Sequence, residues 1–133
     1  MSQENVEIVR KALDAFSRGD LQGTLDRIAP ETEFRPSGLF MDTQTVYRGH
    51  DGWVEFWHTF RDAWESITIS VERIEDLGEQ VLVLATFHAI GSESAIEVTR
   101  ETGWLITVGD GLIVQNRSFA SWAEVLEAAG LSE

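Results

Sequence analysis

Arg100, His50 and Asp42 are the side chains of this sequence best suited by type and position to act on a small molecule. Alternation through Arg100-Glu101-Thr102-Gly103-Trp104-Leu105-Ile106 sets Arg100 on one strand face with Thr102, Trp104 and Ile106. A guanidinium on an apolar face requires an anionic partner, because burying its charge alone is costly. The partner is either an internal carboxylate, Glu33 or Asp42, or an oxygen anion on a bound molecule, which an arginine fork holds through paired hydrogen bonds. In the second case Arg100 would stabilise an oxyanion while His50 or Asp42 carried the proton. His50 stands in Gly49-His50-Asp51-Gly52 at a helix entrance, where solvent exposure is the commoner explanation.

Several other chemistries are disfavoured. His58 shares an outer helix face with Glu55 and Asp62, where solvation accounts for it, and His88 falls on a strand far away, so no metal ligand set is expected. The chain has no cysteine, which excludes disulfides, thiolate metal sites and a cysteine nucleophile. Ser37, Ser118 and Ser121 lie in no nucleophile elbow, and Gly49-His50-Asp51-Gly52 lacks the lysine of a phosphate loop. Ten basic against 23 acidic residues give a formal charge of −13, which repels nucleic acid and anionic lipid. No leader-like N-terminus and no membrane-spanning apolar run are seen, and a cytoplasmic location is expected. No cofactor is implied.

These residues must be positioned by a single domain, the size that 133 residues allow. The apolar spacing of Val6, Val9, Leu13 and Phe16 predicts a helix over 3–18 that stops at Gly19. Asp20 then caps a short second helix carrying Leu21, Leu25 and Ile28, which Pro30 would end near Ala29. Glu33-Phe34-Arg35 reads as a brief strand, and 36–48 as a loop able to close a cavity mouth. Next comes the most informative segment: Trp53, Phe56, Trp57, Phe60 and Trp64 give a helix, capped by Asp51, one wide aromatic face. Beyond Trp64 the period becomes two, predicting four antiparallel strands joined by hairpins at Gly78, at Gly91-Ser92-Glu93 and at Gly109-Asp110-Gly111. Ser121 and Glu124 form a capping box for a last helix that stops at Gly130. Leu82, Leu84 and Ile90 point away from the helices already used, so a homodimer through the convex sheet face is expected.

Helix, helix, short strand, aromatic helix and antiparallel meander together resemble the nuclear transport factor two-like superfamily. Local marks are the Arg18-Gly19-Asp20-Leu21 end of the first helix, Tyr47-Arg48-Gly49-His50-Asp51-Gly52, and Gly111-Leu112-Ile113-Val114-Gln115-Asn116-Arg117. The closing Glu124-Val125-Leu126-Glu127-Ala128-Ala129-Gly130-Leu131 resembles its SnoaL-like branch, which includes polyketide cyclases. The resemblance implies an α+β, cone-shaped barrel: N-terminal helices on a curved, mainly antiparallel sheet with a short C-terminal helix. In that register the cavity wall includes Phe56, Trp57, Val83, Ala85, Phe87, Arg100, Thr102, Trp104, Ile106, Asn116, Ser118 and Ala120. By the same likeness, Arg35, Ala12 and Trp104 stand where a ketosteroid isomerase would hold its catalytic groups. Arg100-Glu101-Thr102 keeps the arginine of an epoxide hydrolase motif but not its inward acid. The expectation is a pocket for a small apolar organic molecule, anionic ones included, held by Arg100 and Arg35. Isomerase, cyclase or hydrolase turnover stays open beside a non-catalytic binding or sensor role, and beside a dimeric interaction module whose cone is filled.

Overall fold

Val6, Val9, Ala12 and Phe16 recur at three- and four-residue steps, which places them on one helical face; all are buried along α1, Ser2–Arg18. The computed structural model describes residues 2–36 and 46–131. Gly19, at φ +78°, turns the chain out of α1. Asp20 caps α2, Leu21–Leu25, its Oδ1 accepting from the Gly23 N–H at 2.9 Å. That backbone hydrogen bond holds the Asp20 carboxyl below its ordinary value.

The second helix does not reach Ala29. Asp26 closes it, and Ile28–Arg35 form β1. Leu21, Leu25 and Ile28 keep helical spacing, but Ile28 is buried from a strand instead. Pro30 is accommodated because the register of β1 against its neighbour breaks between Ile28 and Glu33, where a missing N–H removes no regular ladder bond. Tyr47–Arg48, β2, pair with β1 and lead into α3, Gly49–Arg61. Its cap is Arg48, not Asp51; Asp51 lies in the first turn, where a negative charge suits the helix dipole.

Four long strands follow: β3 Trp64–Asp76, β4 Gln80–Gly91, β5 Glu97–Gly109 and β6 Leu112–Phe119. Trp64 therefore opens a strand rather than ending the aromatic helix, though its ring still meets Phe60 at 6.4 Å and Phe87 at 5.7 Å between centroids. Asp110 (φ 53°) and Gly111 (φ 80°) make the two-residue, left-handed turn that suits a twisted hairpin. The sheet has the order β2-β1-β6-β5-β4-β3. Only β1 and β6 run parallel; the other neighbours are antiparallel. It is curved but not closed on itself, and β3 forms one edge, with register breaks between Trp64 and Ser66 and between Val71 and Arg73.

Alternation divides the sheet's side chains between two covered faces. On the inner face, Val6, Val9 and Ala12 of α1 cluster with Val81, Val83, Ala85 and Ile106. Beside them Phe16, Phe34, Trp53, Phe56, Trp57, Phe60 and Phe87 form an aromatic cluster under α3. On the outer face α4, Trp122–Ala128, sets Val125 and Leu126 on Leu82, Leu84 and Leu105. The C-terminal helix thus supplies the intrachain cover that Leu82 and Leu84 were expected to lack, which removes them from the argument for a second copy. Ile90, at the far end of β4, is half-buried. Contact at α4 is close: a Cβ on Gly103 would stand 2.5 Å from Val125 Cγ2 and 2.7 Å from the Val83 carbonyl. The helix is held by Ser121 Oγ, accepting from Glu124 N at 3.2 Å, and by Glu101 Oε1, accepting from Trp122 N at 3.1 Å. No described helix is long and apolar enough to cross a membrane.

Candidate ligand cavity

Side chains from α1, β1, α3 and the inner sheet face converge on one cavity. Val9, Ala12, Leu13 and Phe16 enter from α1; Thr32, Phe34 and the following Pro36 from β1; Trp53, Phe56 and Phe60 from α3. The sheet contributes Phe87, Thr102, Trp104, Ile106, Asn116 and Ser118 among others. Phenyl and indole rings meet here mostly edge-on or tilted: Phe34 lies 4.9 Å from Trp53 and 4.6 Å from Phe56 between centroids. Rigid rings at such angles leave a gap, and the space open to the centre of a water-sized sphere is ≈ 80 Å³. One water needs about 10–15 Å³ on that measure, whereas an engineered cavity that takes benzene has about 150 Å³.

Seven residues of the expected wall line this space: Phe56, Phe87, Thr102, Trp104, Ile106, Asn116 and Ser118. Other expected residues that are described do not. Arg100 pairs across the ladder with Phe87, but its side chain is exposed and its Nη1 donates to the Thr99 carbonyl at 3.1 Å. Alternation fixes the face from which a side chain leaves, while a long cationic side chain can still swing outward to keep its head hydrated. Nor does Arg100 take Glu33 as an internal partner, since Glu33 Oε2 accepts from Arg48 Nη1 at 2.6 Å. Arg35 is drawn to the same carboxylate, Nη2 lying 3.5 Å from Glu33 Oε1, and it does not line the cavity. Trp57 is buried against α1, edge-on to Phe16 at 5.4 Å, with the Arg61 guanidinium 5.0 Å above its ring. His50 is half-buried, and its Nε2 donates to the Ile28 carbonyl at 2.7 Å, fastening the start of α3 to β1. Asp42 lies outside the described residues. Val83 and Ala85 share the inner face but pack in the aliphatic cluster beneath α1.

His50 and Arg100 thus do not line the cavity, and nothing in the described residues tests a role for Asp42. His58 is exposed, and among the described residues no group of three potential metal ligands occurs. His88 Nδ1 shares a hydrogen bond of 2.9 Å with Thr99 Oγ1. Charge is kept off the wall as well: the described lining side chains include none that is charged. Arg61, whose guanidinium lies over the rings of Phe16 and Trp57, is committed to structure. Its Nη1 donates to the Phe16 carbonyl at 2.6 Å, at the C-terminal end of α1, and desolvation lowers its pKa.

Two polar atoms on the lining residues were not anticipated. Trp53 Nε1 and Asn116 Oδ1 are buried and have no hydrogen-bond partner among the described residues. Trp53 was legible as a ring of the aromatic face, but the fate of its N–H depends on what the fold places opposite it. Trp122 shows the usual outcome, its Nε1 donating to the Ala85 carbonyl at 2.8 Å.

A family model for the SnoaL-like domain matches residues 9–116. The chain belongs to the SnoaL-like family. Among solved structures, a nuclear transport factor two-like protein of unknown function from Burkholderia pseudomallei superposes with a TM-score of 0.80 at 22% identity, over 93% of this chain and 95% of that one. TerC, co-crystallised with polyporic acid, gives 0.80 at 19% identity over 96% and 98%. An epoxide hydrolase of the limonene-epoxide-hydrolase-like type from M. tuberculosis gives 0.74 at 16% identity over 96% and 90%. Likeness at these identities establishes the nuclear transport factor two-like fold, on which different chemistries are built. No curated protein matches the sequence.

Proposed function

We propose that this SnoaL-like protein binds a small, largely apolar, uncharged organic molecule in the cavity between α1, α3 and the inner sheet face. The observation that carries the reading is the wall: aromatic and aliphatic side chains with a few threonine, serine and asparagine groups, the usual make-up of a small-molecule site. An anionic ligand is disfavoured, because the arginines that would have held it, Arg100 and Arg35, do not line the space. Binding is favoured over turnover for a related reason. Acid–base catalysis requires a titratable group within hydrogen-bond reach of the reacting atoms, and the described lining residues supply none.

The test uses the intrinsic fluorescence of Trp53 and Trp104, both of which line the cavity. Titration with xenon or dichloromethane, both smaller than benzene, should give a saturable change that Ala12→Met, which fills the space from α1, abolishes. A linear response identical in the two proteins would refute the reading. Turnover of a bound molecule that disappears in Asp42→Asn would restore the enzymatic alternative.

A further inference from the structure

A second concave space lies between α1 and the edge strand β3. Leu13, Ile67, Ile69 and Val71 form its apolar part, and Asp14, Ser17 and Arg18 of α1 give it a polar rim. On the measure that gives the cavity ≈ 80 Å³, this open groove has ≈ 500 Å³. Leu13 and Ile69 line both spaces, and each is half-buried. A side chain that borders two spaces stands between them. Other parts of the cavity wall are stiffened by ring against ring, as where Phe60 meets Phe87 at 5.6 Å and Phe16 meets Trp53 at 6.2 Å between centroids. Leu13 and Ile69 are aliphatic, and each reaches another staggered rotamer by turning about single bonds. Among the described residues β3 has no strand beyond it, and its ladder to β4 shifts just after Val71, so Ile69 is unconfined on one side.

We propose that cavity and groove join into one elongated site when Leu13 and Ile69 turn aside, and that this site takes an unbranched alkyl alcohol. Its methyl end fills the cavity, its chain passes between the two side chains, and its hydroxyl stays hydrated in the open groove. This rests on the reading of the cavity as a binding site and names the shape of the ligand. The volumes favour it. A cavity of ≈ 80 Å³ falls short of the roughly 150 Å³ that accepts benzene, so alone it takes only a few heavy atoms. A methylene chain is thinner than a ring and displaces the least wall on its way to the larger space. An uncharged end also avoids the repulsion that an anion meets on a chain at −13.

Calorimetric titration with the straight-chain alcohols from propanol to octanol tests the joined site. Affinity should rise about twofold or more with each methylene, part of the roughly fourfold that complete burial gives. Octanol should displace dichloromethane and bind more weakly to Ala12→Met, because its methyl end needs the cavity. Val71→Lys, in the groove but not on the cavity wall, should bring octanol down toward propanol; lysine suits an edge strand, so the fold is kept. Affinity that levels off at propanol or butanol overturns the joined site yet leaves the cavity reading intact. A rise with length that neither dichloromethane nor Ala12→Met alters places the chain in the groove alone and also overturns the joining. Binding of neither dichloromethane nor any alcohol by the folded protein overturns both readings. The alcohol series is measured on the natural sequence, so its outcome does not depend on either variant folding.

Discussion

The two faces of the sheet are covered by helices in contrasting ways. On the outer face, Leu82, Leu84, Leu105, Val125 and Leu126 interlock, and α4 comes so near that only a glycine fits at position 103. On the inner face, α3 presents flat rings that meet at angles of 66° and 76° around Phe34 and leave a cavity. Branched aliphatic side chains adjust to one another's surfaces, whereas rings with two torsions cannot fill an irregular corner. The sealed face contributes stability; the open one leaves the cavity in which binding is proposed.

The contrast can be broken most severely at Leu82, which is fully buried under α4. Leu82→Ala should cost about 2–5 kcal/mol, the range for truncation in a core that cannot collapse, read from the midpoint of urea unfolding. A smaller loss would mean that the outer face relaxes as easily as the inner one.

Adding atoms sharpens the difference. Gly103→Ala should destabilise by about 1–3 kcal/mol, because the new methyl meets both Val125 and the Val83 carbonyl. Ala12→Met adds more atoms at the cavity and should be neutral or stabilise by about 0.5–2 kcal/mol. Thermal unfolding of both variants checks the sign; destabilisation by each would show that the inner face has no usable space.

The smallest effect belongs to neither face but to the cap between α1 and α2. The folded Asp20 carboxyl titrates below its ordinary value of 3.8, chiefly through the Gly23 N–H, so its contribution is present above that value and is lost as pH falls through the folded pKa. Asp20→Asn should match the natural sequence near neutral pH, since asparagine caps about as well. It should lose less stability on acidification below about pH 4, as acid unfolding curves would show.

Much of this architecture was legible in the sequence because it rests on periodicity. Val6 to Phe16 at helical steps, the alternating runs from Ile67 onward, and Asp110-Gly111 as a left-handed turn all act through local backbone geometry. The misreadings came where local spacing is ambiguous. Leu21, Leu25 and Ile28 fit a helix, yet the pairing of Ile28 with Ile113 on the distant β6 makes it a strand residue. The site was legible only as a face. Thr102, Trp104, Asn116 and Ser118 follow from alternation, while Arg100 shares their face and still turns to solvent. Which polar atoms are left without partners could not be read at all, because what surrounds Trp53 Nε1 and Asn116 Oδ1 is set by segments far from each in sequence.

Among the described residues the open sheet ends at two border strands, and their chemistry bears on how the protein behaves at high concentration. One is β2, only two residues long. The other is β3, thirteen residues of backbone that could template cross-chain pairing into fibrils. Its two register breaks interrupt a continuous ladder, and Glu65, Glu72, Arg73, Glu75 and Asp76 scatter charge along it on a chain already at −13. A strand so kinked and charged makes a poor template, and mutual repulsion further slows the encounters on which fibril growth depends.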